Sequence, residues 1–479
     1  MTETPFADAV AAYLRDIPLP LSTPGHKRNP ALVGDTSLLL SDVPFHGGAE
    51  TLRNETGILE RAQELAAAAW GADMCRFTHN GSTHPNQALC LATTTPGEPV
   101  LVHRTCHKSV YAGLILAGAR PVWLSPDVSE DLGIPLGTPV ARVAEALDAE
   151  PRIRTAILTE PSYVGVLSDI PAIAAACHER GVALVCDHAW AAHFGFGTSV
   201  PPNALTMGAD AIALSTHKTL PSLTPGALLL ARHSGHIDLD HLSAAFDLLL
   251  TTSPSATIYA SIDACRARMQ ADGESLLAAA CELAERARAG IEAIPGLRVL
   301  RDSDVLGHPS VMTRDPLKLV VDVSGAEADG IALDHALRAR GVQVEGADRR
   351  LIVPHITVGD DAARIDAFLP ILRSAVDEIR GEAPGLPPVS TSWQSQAEQA
   401  MTPREAFYAR SEVVSADRVA GRVAAEFAVP YPPGIPALAP GEVIGEELWQ
   451  RLRTEAAEGA RIAFASDPQL QTFRVVAAG

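Results

Sequence analysis

An α/β fold built on a large, mostly parallel sheet is what this 479-residue sequence predicts. Three observations carry that expectation. Apolar runs at 74–78, 99–103, 121–124, 153–158, 182–186, 210–214 and 226–231 have strand length and no in–out alternation, as expected of strands buried on both faces. Stretches of helical composition at 84–95, 108–118, 140–149 and 169–180 lie between many of them, and such alternation builds parallel sheets with helices on both faces. Polar clusters follow several of the runs, and sheets of this class hold their ligands beyond the strand C-termini.

The remaining elements fall in order. Residues 5–16 suit a short helix, and P-L-S-T-P-G-H-K-R-N-P at 20–30 is a loop by its Pro and Gly content. G-I-L-E-R-A-Q-E-L-A-A-A-A-W at 57–70 has the composition of a strong helix. After the seventh run, residues 255–293 read as helical and carry the chain to a second domain. That domain has strand-like runs at 297–300, 317–323 and 341–345, with helices at 329–339 and about 361–381. A Gly-, Pro-, Ser- and Gln-rich linker at 382–400 precedes helices near 415–426 and 441–462, which flank Y-P-P-G-I-P-A-L-A-P-G-E. The division expected is an N-terminal arm (1–55), a large domain (56–285), a small α/β domain (286–385) and a C-terminal α+β unit (386–479).

Composition narrows the partners. A formal net charge of −19 disfavours nucleic acid and anionic membrane surfaces. The seven cysteines (75, 90, 106, 177, 186, 265 and 281) form no C-x-x-C pair, which reads as reduced thiols. The first residues carry no basic stretch followed by an apolar one, and no run is long enough to span a bilayer. A cytoplasmic protein is the expectation.

The clusters at the strand ends carry the chemistry. T-H-N-G-S-T-H at 78–84 puts Gly, Ser and Thr before a helix, a turn able to hold an anion or simply to cap the helix. It is not a Walker loop. H-R-T-C-H-K-S at 103–109 offers an imidazole that can lie against an aromatic ring. L-T-E-P-S-Y-V-G at 158–165 offers Thr159 and Tyr163 as hydrogen-bonding groups, or is an ordinary Pro/Gly loop. In V-C-D-H-A-W-A-A-H-F-G at 185–195, Asp187 ends a buried run, a placement that suits a cationic partner. The spacing of Asp187, His188 and His193 is not a zinc pattern, and no metal is expected. Finally, A-I-A-L-S-T-H-K sets Lys218 at the mouth of a strand. An amine able to condense with an aldehyde, a turn for a phosphate and an aspartate for a protonated pyridine nitrogen together meet the needs of pyridoxal phosphate.

The chain resembles the Orn/Lys/Arg decarboxylase family of fold type I pyridoxal-phosphate enzymes. The resemblance rests on T-P-G-H-K (23–27), G-S-T (81–83), C-H-K-S (106–109), E-P-S-Y-V-G (160–165), D-H-A-W (187–190) and S-T-H-K (215–218). It continues through T-S-P (252–254), V-E (344–345), P-R-E-A-F (403–407) and Y-P-P-G-I-P-A-L-A-P-G-E (431–442). It implies decarboxylation of lysine, arginine or ornithine to the amine and CO2. Lys218 is then the residue bonded to the cofactor, Asp187 the partner of the pyridine nitrogen and His107 the group stacked on the ring. Ser82, Thr83, Ser215 and His217 help hold the phosphate, Thr252 reaches a phosphate of the neighbouring subunit, and Ala189 packs on the other ring face. Lys218 or His217 returns the proton to Cα.

The resemblance further implies a homodimer with active sites at its interface, the N-terminal arm lying near it. His26, Trp190, Glu345 and Glu442 are the residues expected to meet the substrate. Three departures are visible. The sequence begins almost at T-P-G-H-K, like short members without an N-terminal wing domain. Arg53 stands where members often have histidine, and D-H-A-W stands where many short relatives have D-E-A-H. Another pyridoxal-phosphate reaction, transamination or aldol cleavage, uses the same cofactor residues and stays open here. A non-catalytic role is disfavoured because Lys218 and Asp187 are both present.

Overall fold

The computed structural model describes residues 2–16, 42–43, 57–383, 385, 390–395, 397–431 and 434–478. Its chain divides into two compact units, Met1–Thr93 with Ala183–Ala278, and Thr94–Val182 with Ala279–Gly479. The seven apolar runs are the seven strands of a mixed, mostly parallel sheet.

In the first unit the strand order is Met74–Thr78, Ala227–Ala231, Ala211–Leu214, Ala183–Asp187. Ala227–Ala231 runs antiparallel to both neighbours, and Ala183–Asp187 runs parallel to Ala211–Leu214 with Asp187 opposite Ala213. Every residue of these last three strands is buried, which is why they read as unbroken apolar runs. In the second unit Thr155–Thr159, Pro99–His103 and Arg120–Leu124 lie in that order, all parallel.

The helices Pro5–Asp16, Ile58–Trp70, Thr83–Thr93, Lys108–Ala117, Val140–Ala149 and Ile170–His178 lie where composition places them. A further helix at Leu239–Leu249 buries the stripe Leu242, Ala245 and Phe246, while Leu248, 76% exposed, blurs that stripe in the sequence. The Asp238 carboxylate caps it, accepting from the amides of Asp240 and His241, both at 3.0 Å. His84 couples this helix to Thr83–Thr93. Its ring stacks on Phe246 at 4.0 Å between centroids, and its Nε2–H donates to the Phe246 carbonyl at 2.9 Å.

The second unit also holds a four-stranded antiparallel sheet, Arg298–Val299, Val321–Asp322, Leu351–Val353 and Gly346–Ala347 in that order. The expected strand at 341–345 lies just beyond, at Gly346–Ala347. The helices Gly330–Arg338 and Ala362–Ile379 begin at Asp329 and Asp361, whose carboxylates cap them.

The helix expected near 415–426 does not form. That stretch holds the end of the strand Ser411–Ser415, a single turn at Ala416–Arg418, a second turn at 420–421 and isolated bridges at Val423 and Ala424. Gly421 at φ 77° ends any helical path, while Val423 and Ala424 bridge to Val443 and Val475. Val419 and Ala424 are fully buried in a core built around Trp449, so tertiary burial overrides the helical propensity of the alanines. The following helix is shorter than expected, Glu446–Ala457. Among the described residues no helix is long and apolar enough to cross a membrane.

Candidate active site

Two adjacent strand ends of the first unit carry the two residues on which the expected chemistry turns. Ala211–Leu214 leads through Ser215 into the one-turn helix Thr216–Thr219, which carries Lys218. Ala183–Asp187 ends on Asp187, which is 3% exposed. A buried carboxylate is tolerated only with good partners. Asp187 accepts from Asn86 Nδ2, which reaches Oδ2 at 2.9 Å, and from the Ala189 amide, which reaches Oδ1 at 3.3 Å. The carboxylate is thereby held in one orientation at the mouth of the strand. Lys218 Nζ lies 4.4 Å from the centroid of the Trp190 ring, a contact that favours its ammonium form.

The loop before Ala227–Ala231 fastens the neighbouring turns. The Gly226 carbonyl accepts from three groups: the His217 amide at 3.3 Å, His217 Nδ1–H at 2.7 Å and the Thr216 hydroxyl at 2.9 Å. The neighbouring Pro225 carbonyl accepts from the Gly81 amide at 2.9 Å, tying in the G-S-T turn. Gly81 at φ 60° makes the turn that delivers Ser82 and Thr83 to the start of their helix. Because a carbonyl can only accept, His217 carries its proton on Nδ1 when neutral, which leaves Nε2 as an acceptor. Burial, and secondarily the Lys218 charge, pulls the His217 pKa below the ordinary histidine value, partly offset by the Gly226 bond.

Pyridoxal phosphate fits these residues. The Ser215 hydroxyl is fully buried and finds no hydrogen-bond partner among the described residues. A buried hydroxyl without a partner is costly, and a phosphate oxygen satisfies it. Asp187, Ala189, Lys218 and Trp190 join it in the same unit, with Asn86 as a member the motifs did not point to. Asn86 lies 101 residues from Asp187, and only its place in the first turn after G-S-T could have hinted at it. Thr252, on the same unit, is exposed. Asp187, His188 and His193 do not converge as metal ligands among the described residues, and His188 Nε2 accepts from the Ala204 amide at 3.3 Å.

The other expected residues belong to the second unit. His107 is the N-cap of Lys108–Ala117, with its ring exposed and Nδ1 accepting from the Ser109 amide at 3.2 Å. Glu345 is exposed, its backbone carbonyl accepting from the Tyr163 hydroxyl at 3.2 Å. Glu442 is fully buried and bound by Arg104 at both carboxylate oxygens, so its charge is already paired within the chain. The Thr159 amide donates to His103 Nδ1 at 3.1 Å. His26 and Arg53 lie outside the described residues, as does most of the N-terminal arm.

Comparison with known proteins agrees with this chemistry. Residues 4–363 match the Orn/Lys/Arg decarboxylase major domain, and residues 389–457 match the C-terminal domain of the same family. An arginine decarboxylase of Halalkalibacterium halodurans is 33% identical over 99% of this chain and 98% of its own. An arginine decarboxylase of Bacillus subtilis is 29% identical over 99% of this chain and 98% of its own. The structure of the constitutive lysine decarboxylase of Escherichia coli superposes with a TM-score of 0.82 at 22% identity, covering 99% of this chain and 82% of that one. This chain belongs to the Orn/Lys/Arg decarboxylase family, the pyridoxal-phosphate-dependent decarboxylases of basic amino acids.

Proposed function

We propose that the substrate is L-arginine and that Lys218, Asp187 and the residues around them form the catalytic centre of a cytoplasmic homodimer. The observation that carries the substrate is the end-to-end match to arginine decarboxylases, each covered over 98% of its length. When bound, pyridoxal phosphate supplies an aldehyde that couples amines and a ring that accepts the electrons of the broken Cα–carboxylate bond.

The protein's part is to orient and to move protons. Asp187, held by Asn86 and the Ala189 amide, offers its carboxylate to a cationic ring N–H. Ser215, Ser82 and Thr83 offer hydroxyls to a phosphate. His107, with Nδ1 occupied by the Ser109 amide, presents its ring face. Lys218 carries an exchangeable proton on Nζ, and neutral His217 beside it can accept or pass a proton at Nε2. Lys218, or His217 once its Nε2 has taken up a proton, is the donor to Cα once CO2 has left.

Glu345, exposed, is the carboxylate with room to meet a guanidinium, with Trp190 and His26 as further substrate contacts. Exposed Thr252 suits a reach to a second copy of the chain. Seven cysteines, five of them buried, suit a reducing compartment.

The deciding experiment is a decarboxylation screen of purified holoenzyme on arginine, lysine and ornithine, with amine products identified by mass. Agmatine formed with a kcat/KM at least tenfold above that for lysine or ornithine supports the reading. Preference for lysine or ornithine overturns the substrate, and release of a keto acid in place of CO2 overturns the reaction.

A further inference from the structure

The buried pair Arg104–Glu442 joins the H-R-T-C-H-K-S cluster to the Y-P-P-G-I-P-A-L-A-P-G-E string within the second unit. Arg104 is three residues before His107, in the turn that leaves the strand Pro99–His103. Four of its five N–H groups go to the Y-P-P-G-I-P-A-L-A-P-G-E string. Nε donates to the Pro436 carbonyl at 2.8 Å, Nη2 to the Ala437 carbonyl at 3.1 Å and to Glu442 Oε2 at 2.8 Å, and Nη1 to Glu442 Oε1. The Ala439 amide also donates to Oε2, at 2.8 Å. Arg104 and Glu442 are 5% and 0% exposed at their side chains.

The surroundings are built to receive the pair. The guanidinium lies 5.2 Å from the Trp123 ring centroid, and Trp123 Nε1–H donates to Gln399 Oε1 at 3.1 Å. Gln399 in turn bridges to Glu442 through the backbone. Gly441 sits at φ 95°, where a Cβ would lie 2.4 Å from the Met401 carbonyl oxygen, so the turn before Glu442 requires glycine. A buried ion pair contributes little net stability compared with apolar packing, yet it fixes geometry. Here the geometry it fixes is that of the turn Arg104–His107, whose tethers also include the Cys106 amide to the His103 carbonyl at 3.0 Å, the Arg104 amide to the Leu124 carbonyl at 2.7 Å and the Ser109 amide to His107 Nδ1 at 3.2 Å.

We infer that Arg104 and Glu442 are positioning residues, a clamp through which the C-terminal string sets the orientation of the His107 ring. This assigns Glu442 to the cofactor side of the site rather than to the substrate, and it rests on the reading that His107 stacks on the cofactor ring. Planarity matters: four acceptors are met by one rigid fork, which a lysine ammonium cannot reproduce.

The test uses holoenzyme variants Glu442→Gln and Arg104→Lys, with Trp449→Phe as a control that loosens the C-terminal core without touching the clamp. The readouts are the visible circular dichroism of the bound cofactor without substrate, kcat and KM, and Tm. Clamp variants are expected to lower kcat about tenfold with KM changed less than about twofold, and to reduce the visible dichroism at unchanged far-ultraviolet signal. Trp449→Phe lowers Tm and leaves the cofactor signal intact. If either folded clamp variant keeps wild-type dichroism and kcat while Tm falls, the pair is a tether only and the inference is overturned. His107→Ala separates the two layers. Should it leave the cofactor dichroism unchanged, the ring-stacking reading fails and takes the clamp with it. Should no amino acid be decarboxylated while His107→Ala and the clamp variants all alter the dichroism, the clamp stands and the substrate reading falls.

Discussion

Asn86 donates its side-chain amide to Asp187 across 2.9 Å, joining the first turn of one helix to the end of a buried strand 101 residues away. Replacing Asn86 by Leu leaves the buried carboxylate one donor short, a loss of about 1–3 kcal/mol when a buried acceptor is unsatisfied. We expect kcat/KM to fall roughly 10- to 100-fold, with a shift in the visible absorbance of the bound cofactor. Unchanged absorbance together with unchanged kcat/KM would show that Asp187 needs no help from Asn86.

Lys218→Ala should abolish turnover. Borohydride treatment of the wild-type holoenzyme should fix the cofactor to the protein, adding its mass to the peptide that contains Lys218. The variant should show no such addition, and an adduct on another lysine would move the assignment there.

The Ser215 hydroxyl, buried without a partner among the described residues, makes a prediction of unusual sign. In the apoprotein Ser215→Ala removes an unsatisfied group and should leave Tm unchanged or raise it. In the holoprotein the same change should weaken cofactor binding about tenfold, as loss of one hydrogen bond to a charged group does. Thermal scans with and without cofactor read both arms. A destabilised apoprotein with unaltered cofactor affinity would place the phosphate elsewhere.

His103 and Glu160 form opposed pH dependences in one network. His103 Nε2 meets the Thr138 hydroxyl at 2.8 Å, the Thr138 amide donates to Ser168 Oγ at 2.8 Å, and Ser168 donates to Glu160 through its hydroxyl and, at 3.0 Å, its amide. Burial pulls the His103 pKa down to about 4 and pushes Glu160 up to about 7. For His103 the unfolded chain binds the proton more tightly, so its stabilising contribution is present above pH 6.5 and is lost as pH falls from there to about 4. For Glu160 the folded chain binds the proton more tightly, so its contribution is present below pH 4.5 and is lost as pH rises to about 7. The two slopes oppose each other between pH 4.5 and 6.5. Urea titrations should show a shallow wild-type profile across that window. Glu160→Gln should lose stability toward acid, and His103→Gln toward neutral pH. Identical profiles for the three proteins would refute the opposition.

Much of the fold was legible because burial on both faces leaves an unambiguous trace. The strands Ala183–Asp187, Ala211–Leu214 and Ala227–Ala231 have no solvent face and therefore no polar alternation. Lys218 and Asp187 stood out for the converse reason, as ionisable groups placed directly at the ends of such runs. What escaped was long-range pairing. Asn86 looked like an ordinary polar residue of a helix start, and Glu442 looked like a free loop carboxylate because its partner Arg104 lies 338 residues earlier. The stretch at 415–426 misled through its alanines and arginines, whose local preference yields to burial of Val419 and Ala424. The C-terminal strands Val429–Tyr431 and Arg461–Ala463 are three residues each, too short to carry a period.

The adjacent carbonyls of Pro225 and Gly226 have a mechanical meaning. One grips the turn that bears Ser82 and Thr83, the other the turn that bears His217 and Lys218. The two turns therefore hang from consecutive peptide units that meet at the Gly226 Cα, and a shift of that residue moves both. A substitution that shifts this hinge pin, such as Gly226→Val, whose Cβ would crowd the Leu223 carbonyl oxygen at 2.9 Å, displaces the turn of Ser82 and Thr83 and the turn of Lys218 together.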